Sequence, residues 1–196
     1  MTIAPGFADA VLGAQTVFRA VMDAIARPGR VRQVAGLSDA PPPLSPVAAA
    51  IALTLADYDT PVFLDAPLAA SADVTAWLRF HTGAPLTLDP ARAAFAFLAD
   101  PAAAPPFSEF ASGTPEYPDR STMLVLQVDT FAGGLPFGLT GPGIAGSTRF
   151  SAAPLPDDFA ARLIANRALF PCGVDLVLGG PDAVAALPRS VRVAGG

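Results

Sequence analysis

The stretch Arg120 to Ile144, R-S-T-M-L-V-L-Q-V-D-T-F-A-G-G-L-P-F-G-L-T-G-P-G-I, decides the fold. Within it, Met123 to Val128 is an almost unbroken apolar run bounded by Ser121 and Asp129. That is the pattern of a strand buried on both faces, not of one face of a surface helix, and it belongs in the middle of a sheet. Gly133 and Gly134 supply the positive-φ positions a reversal needs, so Leu135 to Thr140 is expected to return as the second strand of a hairpin. The hairpin ends on Gly141-Pro142-Gly143, a corner with two readings. It is either a tight turn at a sheet edge or an anion cradle, with free amides at Gly141 and Gly143 and no side chain to obstruct a close approach. Either way, a side chain at Gly141 or Gly143 is expected to meet an obstruction.

Working outward, 196 residues suffice for one domain with a sizeable core, and residues 1–196 are expected to form one. The chain is 52% hydrophobic and only 15% charged, which argues against disorder, and its 22 prolines mark many short connections. A net charge of −5 argues against nucleic-acid binding through a general basic surface, while leaving single phosphates open to local arginines. The longest uninterrupted apolar segment, Val47 to Ala56, is about half the roughly 20 residues a membrane helix requires. A single cysteine, Cys172, cannot form an internal disulfide, and no basic-then-apolar leader pattern opens the chain, so the expected compartment is the cytoplasm. Cys172 reads as a core filler or as a reactive thiol.

All twelve basic residues are arginine. The absence of lysine excludes a Schiff base with pyridoxal phosphate and the phosphate-binding lysine of a Walker A loop. One His and one Cys cannot close a zinc site, so no metal and no cofactor are expected.

In chain order, Val11, Ala14, Phe18, Val21, Met22 and Ile25 recur at helical spacing, predicting an amphipathic helix over 8–26 that Arg27-Pro28-Gly29 stops. Arg30 to Val34 reads as a short strand. Ser45 and Pro46 open a second helix over Val47 to Ala56, followed by a strand at Val62 to Leu64. Ser71 caps a third helix that Gly83 ends, with His81 in its last turn. His81 either caps carbonyls at the negative end of the helix dipole or, next to Arg79 and Thr82, acts as a proton-transfer group. Arg79 and His81 share a site only if the helix ends at or before Phe80. Leu86–Leu88, Ala93–Leu98, Thr148–Ser151 and Phe170–Leu178 read as strands, Pro156 to about Asn166 as a helix, and L-P-R-S-V-R-V as a closing edge strand. Asp182 to Ala186 is ambiguous, Pro101 to Pro106 reads as a surface loop, and Ser112 to Thr122 as an irregular loop of a length that is either functional or disordered. The alternation implies a three-layer α/β/α arrangement around a mixed sheet.

The segments F-R-A-V-M-D-A-I-A-R-P-G, L-T-L-A-D-Y-D-T-P-V, R-F-H-T-G-A-P-L, S-G-T-P-E-Y-P-D-R-S-T, L-T-G-P-G-I, F-P-C-G-V-D-L-V-L and L-P-R-S-V-R-V, in this order, resemble the PhnH-type subunit of the bacterial phosphonate carbon-phosphorus lyase system. The Ala- and Pro-rich 99–106 loop departs from that pattern. The resemblance implies a fold like the pyridoxal-phosphate transferases without the cofactor. It implies other lyase core subunits as partners and a homodimer when isolated. It also implies a part in making ribose 1-alkylphosphonate 5-triphosphate from ATP and an alkylphosphonate, within a transferase and lyase pathway. On the resembling motifs the candidate ligand- or partner-binding residues are Arg27, Asp57, Arg79, His81, Thr82, Gly141 and Gly143, with His81 the candidate catalytic group. Three functional readings follow: an accessory subunit without autonomous catalysis, a stand-alone phosphate- or nucleotide-binding enzyme using His81 and Arg79, and a homodimeric nucleotide-binding module.

Overall fold

The computed structural model describes residues 3–194. In chain order these form α1 (Ala10–Ala26), β1 (Arg32–Gln33), α2 (Pro46–Leu55), β2 (Val62–Leu64), α3 (Ala66–Ala69), α4 (Ala72–Thr82), β3 (Leu86–Thr87), β4 (Phe95–Leu98), β5 (Met123–Gln127), β6 (Phe137–Thr140), β7 (Thr148–Phe150), α5 (Phe159–Ala168), β8 (Asp175–Gly179), β9 (Ala183–Leu187) and β10 (Arg192–Ala194). The helix starts obey local chemistry. The side chains of Asp9, Ser45 and Ser71 each accept a backbone N–H of the first turn, and Pro46 sits where its missing N–H costs nothing. Gly83, at φ 69°, ends α4 in the left-handed conformation expected of it.

The larger sheet runs β1-β9-β8-β5-β4-β2-β3, with β5 at its centre. From β3 to β8 the pairings are parallel, while β9 is antiparallel to both β8 and β1, so the sheet is mixed. Alternation along the strands splits the core in two. Phe97, Val125, Val177 and Val184 face α1, α2 and α4, whereas Leu98, Leu124, Leu126, Leu176 and Leu178 face the other way. The helical face is closed by the alanine-rich α2, whose residues Val47 to Ala52 are all fully buried.

Three expectations change. The hairpin from Met123–Val128 to Leu135–Thr140 does not form, because β5 already pairs in parallel with β4 on one edge and β8 on the other. With no hydrogen-bonding edge left, the chain crosses the end of the sheet, and β6 instead centres a second sheet ordered β10-β6-β7. The ambiguous Asp182–Ala186 contributes β9, fully buried and hairpinned to β8 through Gly180-Pro181-Asp182, with the Gly180 N–H donating to the Ala183 carbonyl. The third change concerns the layers. The second face is covered by α5 together with the small sheet, through Phe159, Leu163, Leu139 and Phe150, so that layer is only partly helical.

Arginines hold both the 112–122 loop and the 99–106 loop. Arg189 donates to Asp175, to the Ser121 hydroxyl and to the Pro118 carbonyl, clamping the 112–122 loop onto the start of β8. Arg162 donates to the carbonyls of Ala104 and Pro105, tying the 99–106 loop to α5. Cys172 lies half buried in the turn between α5 and β8, not in the core. No helix among the described residues is long and apolar enough to cross a membrane.

Candidate functional site

The Gly141-Pro142-Gly143 corner leaves β6 and doubles back against the end of α1. Gly141 lies at φ 137° and Gly143 at φ 80°, in the region that favours glycine. A Cβ on Gly143 would overlap the Ala26 carbonyl oxygen, and one on Gly141 would come within 3.1 Å of the Ser190 carbonyl oxygen. Packing therefore demands glycine at 143 and the positive φ favours it at 141, and the Ile144 N–H closes the turn onto the Gly141 carbonyl. The same close approach opens a cleft of about 550 Å³ lined by Ala26, Arg27, Pro28, Arg30, Gly143, Ile144, Ala145, Ser147 and Thr148. Two segments over 100 residues apart thus bring Arg27 and Gly143 to one place, while Gly141 lies behind the turn, against the strand that carries Arg192.

The charges in the cleft are unequal. Asp23 forms ion pairs with both Arg27, one helical turn later, and Arg32. Arg30 is exposed and forms no side-chain hydrogen bond or ion pair among the described residues. Two guanidinium groups therefore share one carboxylate, and Arg30 stands without an acidic partner among the described residues. Arg30 and Ser147 are the members of this site that motif reading passed over. Arg30 stands one residue beyond R-P-G, and its proximity to a glycine corner far along the chain is invisible in the sequence.

The remaining candidates lie elsewhere, around the end of α4. The helix continues through Thr82, so Arg79 and His81 point to different sides and form no common site. Arg79 is exposed. His81 is partly buried, with Nε2 2.9 Å from the Ala4 carbonyl oxygen, which fixes the proton on Nε2 because a carbonyl only accepts. Trp77 donates its Nε1–H to the same oxygen at 3.0 Å, and the two rings lie 4.8 Å apart. His81 therefore does bind a carbonyl, but that of an N-terminal strap and not of its own helix end. The Thr82 hydroxyl donates to the Leu78 carbonyl and accepts from the Ala84 N–H, finishing the helix. Asp57 closes a turn by accepting from the Asp59 N–H and the Thr60 hydroxyl. These local partners occupy Asp57 and Thr82, and among the described residues no nucleophile or orienting acid is bonded to His81.

One buried carboxyl stands at the carboxyl ends of the parallel strands. Asp65 follows β2 and accepts from the Leu68 and Asp100 N–H groups. Desolvation raises its pKa above the ordinary 3.8, against the lowering effect of those backbone hydrogen bonds. Its role is to join α3 to the turn after β4. Among the described residues no group of three or more His, Cys, Asp or Glu is arranged to hold a metal ion.

The site and fold together define an α/β protein built on a mixed sheet, with a cleft lined by Arg27 and Arg30. The chain belongs to the bacterial phosphonate metabolism protein family (PhnH), whose family model matches residues 5–194. It is 46% identical over 187 residues to the "Alpha-D-ribose 1-methylphosphonate 5-triphosphate synthase subunit PhnH" of Rhizobium meliloti (strain 1021), a match covering 95% of this chain and 93% of that protein.

Proposed function

We propose that this chain is a cytoplasmic subunit of a synthase that forms ribose 1-alkylphosphonate 5-triphosphate from ATP and an alkylphosphonate, acting without autonomous catalysis. The observation that carries this is the 46% identity over nearly the full length of both chains with a protein named as a subunit of such a synthase. The arrangement at His81 supports the accessory role. Its Nε2–H is spent on the Ala4 carbonyl and Arg79 points elsewhere, so the stand-alone enzyme built on that pair loses its geometry. The fold follows that of the pyridoxal-phosphate transferases with the cofactor lost, in keeping with a chain that has no lysine. Residues 1–196 act as one unit, which pairs with itself when isolated and with the other core subunits when they are present. Arg27 and Gly143 on the cleft, and the exposed Arg79 on α4, are the surfaces offered to ligand or partner.

Co-expression with the remaining synthase subunits tests this. The chain should co-elute with them on size exclusion, while the purified chain alone leaves ATP and methylphosphonate unconverted. Turnover by the lone chain, or assembly of the other subunits without it, overturns the proposal.

A further inference from the structure

We infer that the cleft between the end of α1 and the Gly141–Ser147 loop binds the polyphosphate chain of a small ester, held by the guanidinium groups of Arg30 and Arg27 and the Ser147 hydroxyl. This deepens the subunit reading and rests on it for the identity of the ester. The binding chemistry comes from the structure.

Charge distribution is the first support. The chain is acidic overall, at −5, yet Thr130 to Pro156 and Ala183 to Ala194 contain no Asp or Glu. Those two stretches build the whole small sheet and the outer wall of the cleft. Arg149 and Arg192 stand exposed on that sheet's outer face, opposite Gly138 and Thr140, whose neighbour Leu139 is turned into the core. Asp23, the partner of Arg27, is already shared with Arg32. The cleft, lined by Arg27 and Arg30 and by no acid, therefore carries a positive surplus that a multiply charged anion would neutralise.

Chemistry and size select the ligand. In a chain without lysine the long cationic side chain available to phosphate is arginine, and its guanidinium offers a planar fork that matches two phosphate oxygens at once. Arg30 is the group free to do so. The floor of the cleft is the carbonyl end of α1, where Ala26 meets Gly143, and the negative end of a helix dipole repels anions. The phosphates must then lie across the mouth, between the arginines and Ser147, with Ile144 and Ala145 offering an apolar wall to the sugar. A cleft of about 550 Å³ is large for one phosphate but suits a ribose triphosphate.

Calorimetry on the purified full chain with inorganic triphosphate, and separately with inorganic phosphate, is the test. Triphosphate should bind saturably, about tenfold or more tighter than phosphate, and weaken as salt is raised. Arg30→Ala and Ser147→Ala should each weaken it markedly, about tenfold for Arg30→Ala, while Arg92→Ala, an exposed arginine on another part of the surface, leaves it within about twofold. Both Arg30 and Ser147 are exposed, and an unchanged melting temperature confirms that the variants fold. The site is overturned by absent or non-saturable binding, by equal affinity for phosphate and triphosphate, or by equal effects of Arg30→Ala and Arg92→Ala. Co-elution with the other subunits reads the subunit proposal separately. Wild type that binds triphosphate but never co-elutes overturns that proposal and leaves the site standing, and wild type that co-elutes without binding triphosphate does the reverse.

Discussion

Gly143 and Gly146 sit three residues apart with nearly the same backbone angle, φ 80° and 75°, but a Cβ on Gly146 would meet nothing within 4 Å. Gly146→Ala therefore carries only the left-handed backbone penalty, about 1 kcal/mol, whereas Gly143→Ala must also push the end of α1 away. Urea denaturation should show the larger loss for Gly143→Ala, and equal losses would mean that the Ala26 contact is not tight. Asp65 illustrates a different residue-scale conflict, between burial and charge. Its folded-state pKa is raised above 3.8, so its contribution to stability is fully present below 3.8 and is lost as pH rises through the raised value. The stability of wild type relative to Asp65→Asn should accordingly fall as pH is taken from about 3.5 to about 7. Parallel pH profiles for the two proteins would remove the desolvation argument.

The elements are joined by a few long-range polar contacts whose loss should be felt locally. At the start of α2, the Ser45 hydroxyl caps Ala48, while the Gln127 side chain at the end of β5 accepts from the Ser45 N–H at 2.6 Å and donates to the Pro43 carbonyl at 3.0 Å. Ser45→Ala should cost about 1 kcal/mol, the ordinary value of a lost cap. Gln127→Ala leaves two backbone groups without their partner and should cost at least as much, about 1–3 kcal/mol, measured by the same denaturation. On α4, His81 and Trp77 together hold the Ala4 carbonyl. His81→Asn should leave the protein folded, with a loss of about 1 kcal/mol, and should speed amide exchange over residues 3–7. Unchanged exchange there would show that Trp77 suffices to hold the strap.

Across the whole molecule, Arg189 links the 112–122 loop, β8 and the approach to β10. The Arg189 and Asp175 side chains are only 13% and 23% exposed, so Asp175→Ala strands a largely buried guanidinium and should cost about 3 kcal/mol, read from the thermal midpoint. A loss below about 1 kcal/mol would mean that the carbonyls of Pro118 and Pro171 hold Arg189 by themselves. By itself the sequence determined whatever rests on local signals. Ser45-Pro46, Ser71 and Gly83 mark helix ends through neighbouring backbone groups, the unbroken run Met123–Val128 declares a strand with two buried faces, and the motif order declares the family. Only the tertiary structure decided which strands pair and which charges meet. β6 left the central sheet because β4 and β8 had taken both edges of β5, and β9 entered because an edge of β8 remained open. Arg30 faces Gly143 for the same kind of reason. Free hydrogen-bonding edges and close backbone approaches are properties of residues far apart in the chain, and no local periodicity encodes them.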